Sequence, residues 1–293
     1  MTPVTTWTRK VKQPRGGYLP VSFMQVTRFD DGCELNPKEN LNPGTIGTSV
    51  DYLSRVLSGH DAHDVFALPL FGAENIGRDY SAKKYLASII MFSEDEFGVP
   101  IVFDADEDIP SELIHAGVNL SRFDIAFKTS NEYYLDSLLG EVHIDEPTEQ
   151  NIRIMLRRIL SFRRRHNIMD AESKLLSYKC FPGLGGEDCL SGEADIVTDD
   201  AIWDCKAMKA QLRATYTAQL LAYYAMLFHL NNRPMVSSIQ NGCFNPNVDT
   251  PADFTLGFFN PRENAEYSIA VSKLNPVIFD SLAKDMVNSL YMY

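Results

Sequence analysis

Residues 191 to 207 alternate polar and apolar side chains on both sides of an Asp199-Asp200 pair, a pattern that constrains this stretch to a β-hairpin. If those two aspartates form a two-residue loop, Asp195 faces Asp204 and Glu193 faces Lys206 across the ladder. Lengthening the loop by two residues leaves the pairing unchanged. Because side chains alternate with period two, Glu193, Asp195, Asp204 and Lys206 share one face, while Ala194, Ile196, Trp203 and Cys205 share the other. The first face is equipped for chemistry and the second for a core.

Directly opposed residues place their Cβ atoms about 4.5–5.5 Å apart, and like charges at that spacing are destabilising unless something compensates them. A divalent cation would do so. Mg²⁺ takes carboxylate oxygens and keeps several waters, which leaves room for a phosphate oxygen and an attacking water. Lys206 would then stabilise developing negative charge. The plainer alternative is a solvent-facing hairpin that happens to be polar on one side.

A second segment bears on that choice. From about residue 213 to 229 the pattern is helical: Leu220, Tyr224 and Leu227 recur at helical spacing, and Gln219 and Tyr223 form an i, i+4 pair on an adjacent face. Such a helix, resting on the hairpin, would offer an amide and a phenol to the lysine or to a nucleic-acid backbone. The ordered set Gly192-x-x-Asp195, Asp204-x-Lys206 and Gln219-x-x-x-Tyr223 resembles the PD-(D/E)XK nuclease superfamily, and in particular its RecB-like exonuclease branch, over about residues 145 to 293. The resemblance implies a restriction-endonuclease-like mixed sheet flanked by helices, Mg²⁺ or Mn²⁺ as cofactor, and hydrolysis of DNA strands. It also implies roles: Asp195 and Asp204 as metal ligands, Lys206 as the catalytic lysine, and Gln219 with Tyr223 as the supporting helix.

Members of that branch commonly add an upstream histidine ligand, and other branches an upstream glutamate. Glu172, His166 and His143 all qualify here. Glu172 is favoured, because residues 171 to 178 read as the strand leading into the hairpin, whereas His166 is expected to cap the basic end of a helix.

That helix begins near Pro147 and Thr148. Ile152, Met155, Leu156 and Ile159 mark its buried face, so Arg157, Arg158, Arg164 and Arg165, with Arg153 and Arg163, are expected to project outward. They form a candidate phosphate track, or else a solvated stripe that offsets an acidic protein. The net charge of −12 argues against a protein that coats nucleic acid nonspecifically, since that requires broad positive potential. The five cysteines are odd in number and scattered, with no C-x-x-C pair, and are expected to be reduced thiols. No run of about 18 apolar residues suggests a membrane span, and the first ten residues lack an apolar signal core, so a cytoplasmic protein is expected.

Residues 1 to 145 read as a mainly helical region packed on a nuclease core spanning 146 to 293, with helices near 45–58, 80–91 and 110–117. That region would gate substrate or recruit a protein partner. The cluster from His60 to Asp64 has metal-like composition but follows a helix stop, and Asp104, Asp106, Glu107 and Asp108 precede a helix start, where acids favour the dipole without any ligand. Beyond the Gln219 helix, residues 238–244, 254–259 and 266–271 read as strands of a β-meander, closed by a helix near 276–290. The expected function is a Mg²⁺- or Mn²⁺-dependent nuclease acting on DNA or, alternatively, RNA, in bacterial or phage nucleic-acid processing or defence. A catalytically inactive protein of the same fold, binding nucleic acid or a partner, is the runner-up. A phosphohydrolase of small nucleotides would need a base-recognition pocket, which the sequence does not reveal.

Overall fold

A computed structural model describes residues 2–128, 138, 140–168, 174–179, 188–227 and 254–288. Glu172 and residues 238–244 lie outside these, so the favoured upstream ligand and the first strand of the expected meander are not described.

The chain is a mixed α/β protein whose five-stranded mixed sheet is flanked by helices. From the N-terminus, β1 (Thr2–Pro3) and α1 (Val4–Lys10) lead to β2 (Gln25–Arg28). A helical stretch follows: α2 (Pro43–Leu57), α3 (Ala62–Val65), α4 (Ala67–Asn75), α5 (Asp79–Ser93), α6 (Ser111–Ser121) and α7 (Asp124–Lys128). Two of these starts have a local cause. Asn42 accepts the Thr45 backbone N–H at 2.8 Å with Pro43 in the first turn, which caps α2. Asp61 likewise accepts the Asp64 N–H at 3.0 Å, so the His60–Asp64 cluster builds the cap of a short helix.

The long helix α8 (Glu146–Arg165) is capped by Asp145 and followed by β3 (Lys174–Lys179), β4 (Asp188–Ala194), β5 (Ile196–Val197) and β6 (Ala201–Cys205). Then come α9 (Ala214–Ala225), β7 (Thr255–Asn260), β8 (Ala265–Ala270) and α10 (Pro276–Asn288). The larger sheet runs β2-β8-β7-β6-β5, and the smaller runs β1-β4-β3.

The sheet departs from the expected meander in one respect. Strand β6 pairs with β7 in parallel, Trp203 opposite Gly257, while β7 and β8 form an antiparallel hairpin. Apolar patterning fixes which face of a strand is buried but not its direction, and α9 lies between β6 and β7 in the chain, as a parallel pair requires. Residues 1 to 145 also contribute more than helices, since β2 forms the sheet edge against β8 and β1 pairs in parallel with β4.

Two hydrophobic cores cover the two faces of the sheet. Ala201, Trp203 and Ile196 pack with α2, α5, α6 and α8, while Ile202, Leu256, Phe258 and Ile269 pack with α1, α9 and α10. Adjacent residues of β6 thus enter opposite cores, as strand alternation dictates. Trp203 meets Phe162 edge-on at 5.1 Å, and Phe162 stacks on Phe259 at 4.6 Å. The close approach of β7 to Trp203 needs Gly257, because a Cβ there would lie 2.2 Å from the indole ring.

Candidate active site

The hairpin turn falls where the alternation places it. Ile196 pairs with Trp203 and Val197 with Ile202, and the Thr198 N–H donates to the Ala201 carbonyl at 2.9 Å across the Asp199-Asp200 loop. Asp195 sits one residue before this ladder, at the bend where the chain leaves the small sheet and enters the large one. Its Oδ2 accepts the Cys205 backbone N–H at 2.8 Å, so the side chain substitutes for a ladder carbonyl that the bend withdraws.

Asp204 points to the Ile202 side of β6, where α9 lies. It is 1 % exposed, and its carboxyl group touches that of Asp195. The Lys206 Nζ stands 2.9 Å from both Asp204 oxygens. Only Oδ1 receives a well-directed hydrogen bond, and Oδ2 is buried without one. Burial pushes the Asp204 carboxyl up to about 7, with Asp195 adding to the rise and Lys206 opposing it. Burial alone would lower Lys206, yet Asp204 and Asp195 outweigh it and hold the ammonium well above the usual lysine range. Lys206 is therefore a permanent cation at neutral pH rather than a base.

Helix α9 supplies the third motif. Gln219 and Tyr223 are both buried, and the Gln219 Nε2 donates to the Tyr223 hydroxyl oxygen at 2.6 Å. Burial raises the Tyr223 phenol, as do the charges of Asp204 and Asp195, so it keeps its proton beside them. Gly192 makes this approach possible, because a Cβ on it would fall 2.5 Å from the Tyr223 ring.

Glu193 does not face Lys206. It lies in β4 opposite Leu175, and its carboxylate accepts from Arg55 Nη2 at 3.1 Å. The bend at Asp195 ends the ladder one residue early, and Lys206, just past the end of β6, pairs instead with Asp204.

A carboxylate the motifs do not contain completes the cluster. Asp51, on α2, is half-buried and interacts with Asp195, Lys206, Glu193 and Arg55. Burial raises its carboxyl to about 7, with Asp195 contributing and Arg55 and Lys206 offsetting part. The one signal in the sequence was an acid set among Val50, Tyr52 and Leu53 on an amphipathic helix.

The histidine candidates lie elsewhere. The His166 ring packs against Trp203 at 4.8 Å, on the face of β6 opposite Asp204, and its Nε2 pairs with Glu266 at 3.1 Å. It terminates α8, as expected. His143 is exposed in the loop before α8.

The α8 arginines do not project outward as a free stripe. Arg158 is buried, with Nε and Nη2 2.6 and 2.9 Å from the two Asp31 oxygens and with donations to the carbonyls of Cys33, Pro261 and Arg262. Arg165 pairs with Glu266 at 3.0 Å and covers the Phe29 ring at 3.7 Å. Arg164 pairs with Asp104 at 2.9 Å, and Arg157 and Arg153 share Asp108. Acids before α6, in the 29–33 loop, on α8 itself and on β8 thus pair with these five arginines.

Among the described residues, no three His, Cys, Asp or Glu side chains close around a point that would enclose a metal ion, and no helix is long and apolar enough to cross a membrane. The chain matches no family model, no curated protein and no solved structure against which it was compared.

Proposed function

We propose that this chain is a Mg²⁺- or Mn²⁺-dependent nuclease on a restriction-endonuclease-like core, with DNA as its substrate. The observation that carries the proposal is the contact between the Asp195 and Asp204 carboxyl groups, with a charged lysine 2.9 Å from Asp204 and a buried Asp204 oxygen lacking a directed donor. Two carboxyl groups in contact in a protein interior need either a shared proton or a compensating cation, and once both ionise one ammonium leaves the group underneutralised.

The donors suit a hard divalent ion: Mg²⁺ is commonly held by one or two carboxylates and otherwise by water, so a closed protein cage is not required. Asp195 and Asp204 would hold it, with Asp51 near enough to act on a ligating water. When bound, such an ion lowers the pKa of water and neutralises phosphate charge.

The chain's own groups do the rest. Lys206, fixed by Asp204 and always protonated, offers a positive charge to a pentavalent phosphate. Tyr223, steadied by Gln219, packs beside the lysine and its acids and keeps bulk water from that side. Asp51 and the Arg55–Glu193 pair stand at the rim, where a strand would enter.

The test is incubation of the protein with linear double-stranded DNA, single-stranded DNA and RNA in Mg²⁺, Mn²⁺ or EDTA. DNA cleavage that requires the metal and falls by about 100-fold or more in Asp204→Ala and Lys206→Ala, with both variants folded, is the expected result. Wild-type protein that binds DNA and leaves it intact in either metal contradicts the proposal.

A further inference from the structure

Arg163 stands out among the arginines of α8. It is more than nine-tenths buried, it has no acidic partner among the described residues, and its Nη2 lies buried without a hydrogen bond. Every other arginine named above on this helix has a carboxylate within 4 Å. Burial lowers the Arg163 guanidinium from its ordinary value, yet a guanidinium remains charged at any physiological pH. An uncompensated charge in a protein interior is among the most destabilising arrangements a fold can hold.

Arg163 lines a cavity of about 360 Å³ between α8 and the 102–107 loop. That volume falls at the small end of ligand pockets. The remaining wall is chiefly apolar, from Val102, Phe103, Ala105, Leu160 and Ile168. Two acids also contribute, Asp104 and Glu107. Asp104 is occupied by Arg164 at 2.9 Å, and Glu107 is exposed. Their presence disfavours a polyanion such as a triphosphate or a nucleic-acid strand, since each additional negative charge would meet them.

We infer that this cavity binds a small monocarboxylic acid with an apolar body, its carboxylate paired with the Arg163 guanidinium and its hydrocarbon part against Leu160, Phe103 and Ile168. The planar fork of arginine matches a carboxylate in geometry as well as charge. The inference does not depend on the nuclease proposal, because none of the lining residues belongs to the carboxylate cluster.

The test is thermal unfolding of the full chain with hexanoate and benzoate as probes, against acetate, inorganic phosphate and chloride at equal ionic strength. Hexanoate or benzoate should raise the midpoint in a saturable manner, as a ligand bound only by the folded state does, while acetate and phosphate match chloride. Arg163→Met should lose that response and unfold at a higher temperature than unliganded wild type, because the unpaired charge is gone. Val102→Trp, at the exposed rim, should fold normally and lose the response by filling the cavity. If neither probe raises the wild-type midpoint above chloride, or if Arg163→Met or Val102→Trp responds as wild type does, the assignment is overturned.

Discussion

Asp204 combines almost complete burial with a second carboxyl in contact, and the consequence is a measurable proton affinity. Its carboxyl, and that of Asp51, stand near 7 in the folded chain, against about 3.9 when unfolded. Between those values the folded state binds protons that the unfolded state releases. This contribution to stability is therefore fully present below about pH 4 and is lost as pH rises through about 7. The metal-free protein should accordingly melt at a lower temperature at about pH 8 than at about pH 5, Asp204→Asn should reduce that fall, and added Mg²⁺ should restore wild type at the higher pH. A variant whose melting temperature follows pH in parallel with wild type would remove Asp204 as the origin. At this scale the sequence was informative for Asp195, Asp204, Lys206, Gln219 and Tyr223, which the fold brings together, because hairpin and helix periodicities are local. Asp51 was not legible, since its position depends on how α2 docks across the end of β6, where Gly47 lies against Ala207.

The hairpin was legible as an element because a two-residue turn fixes register and register fixes faces. Its extent was overestimated: the chain passes between two sheets at Asp195, and nothing in the alternation of Ala194, Asp195 and Ile196 marks a bend. Helix α8 teaches the complementary lesson. Its apolar face was visible, but apart from the Glu149–Arg153 pair within the helix the partners of its arginines come from residues 31, 104, 108 and 266, none near it in sequence. Those pairings make a prediction that separates structural from nucleic-acid roles. Arg158→Ala removes the buried half of a bidentate pair and leaves three carbonyl oxygens without their donor, and should destabilise the protein by about 3 kcal/mol in urea denaturation. Arg164→Ala breaks a solvent-exposed pair and should cost less than about 1 kcal/mol. If instead Arg158→Ala leaves stability intact while weakening DNA binding and its salt dependence, the helix is a phosphate track after all.

The molecule as a whole joins regions that composition alone would keep apart. Ile46, Val50 and Leu53 from α2 share one core with Trp203 and Phe259 from the central strands, so the N-terminal helices are part of the scaffold that carries the carboxylates. This explains how an acid from residue 51 meets acids from residues 193 and 195 in a chain of net charge −12. Uptake of Mn²⁺, followed by loss of the free-ion electron paramagnetic resonance signal, tests the proposed metal centre most directly. Wild type should bind a single Mn²⁺ per chain that Mg²⁺ displaces, Asp195→Asn and Asp204→Asn should abolish binding, and Asp51→Asn should weaken it. Wild-type protein that takes up no Mn²⁺, or an Asp204→Asn variant that binds it as tightly as wild type, would contradict a metal centre at this site.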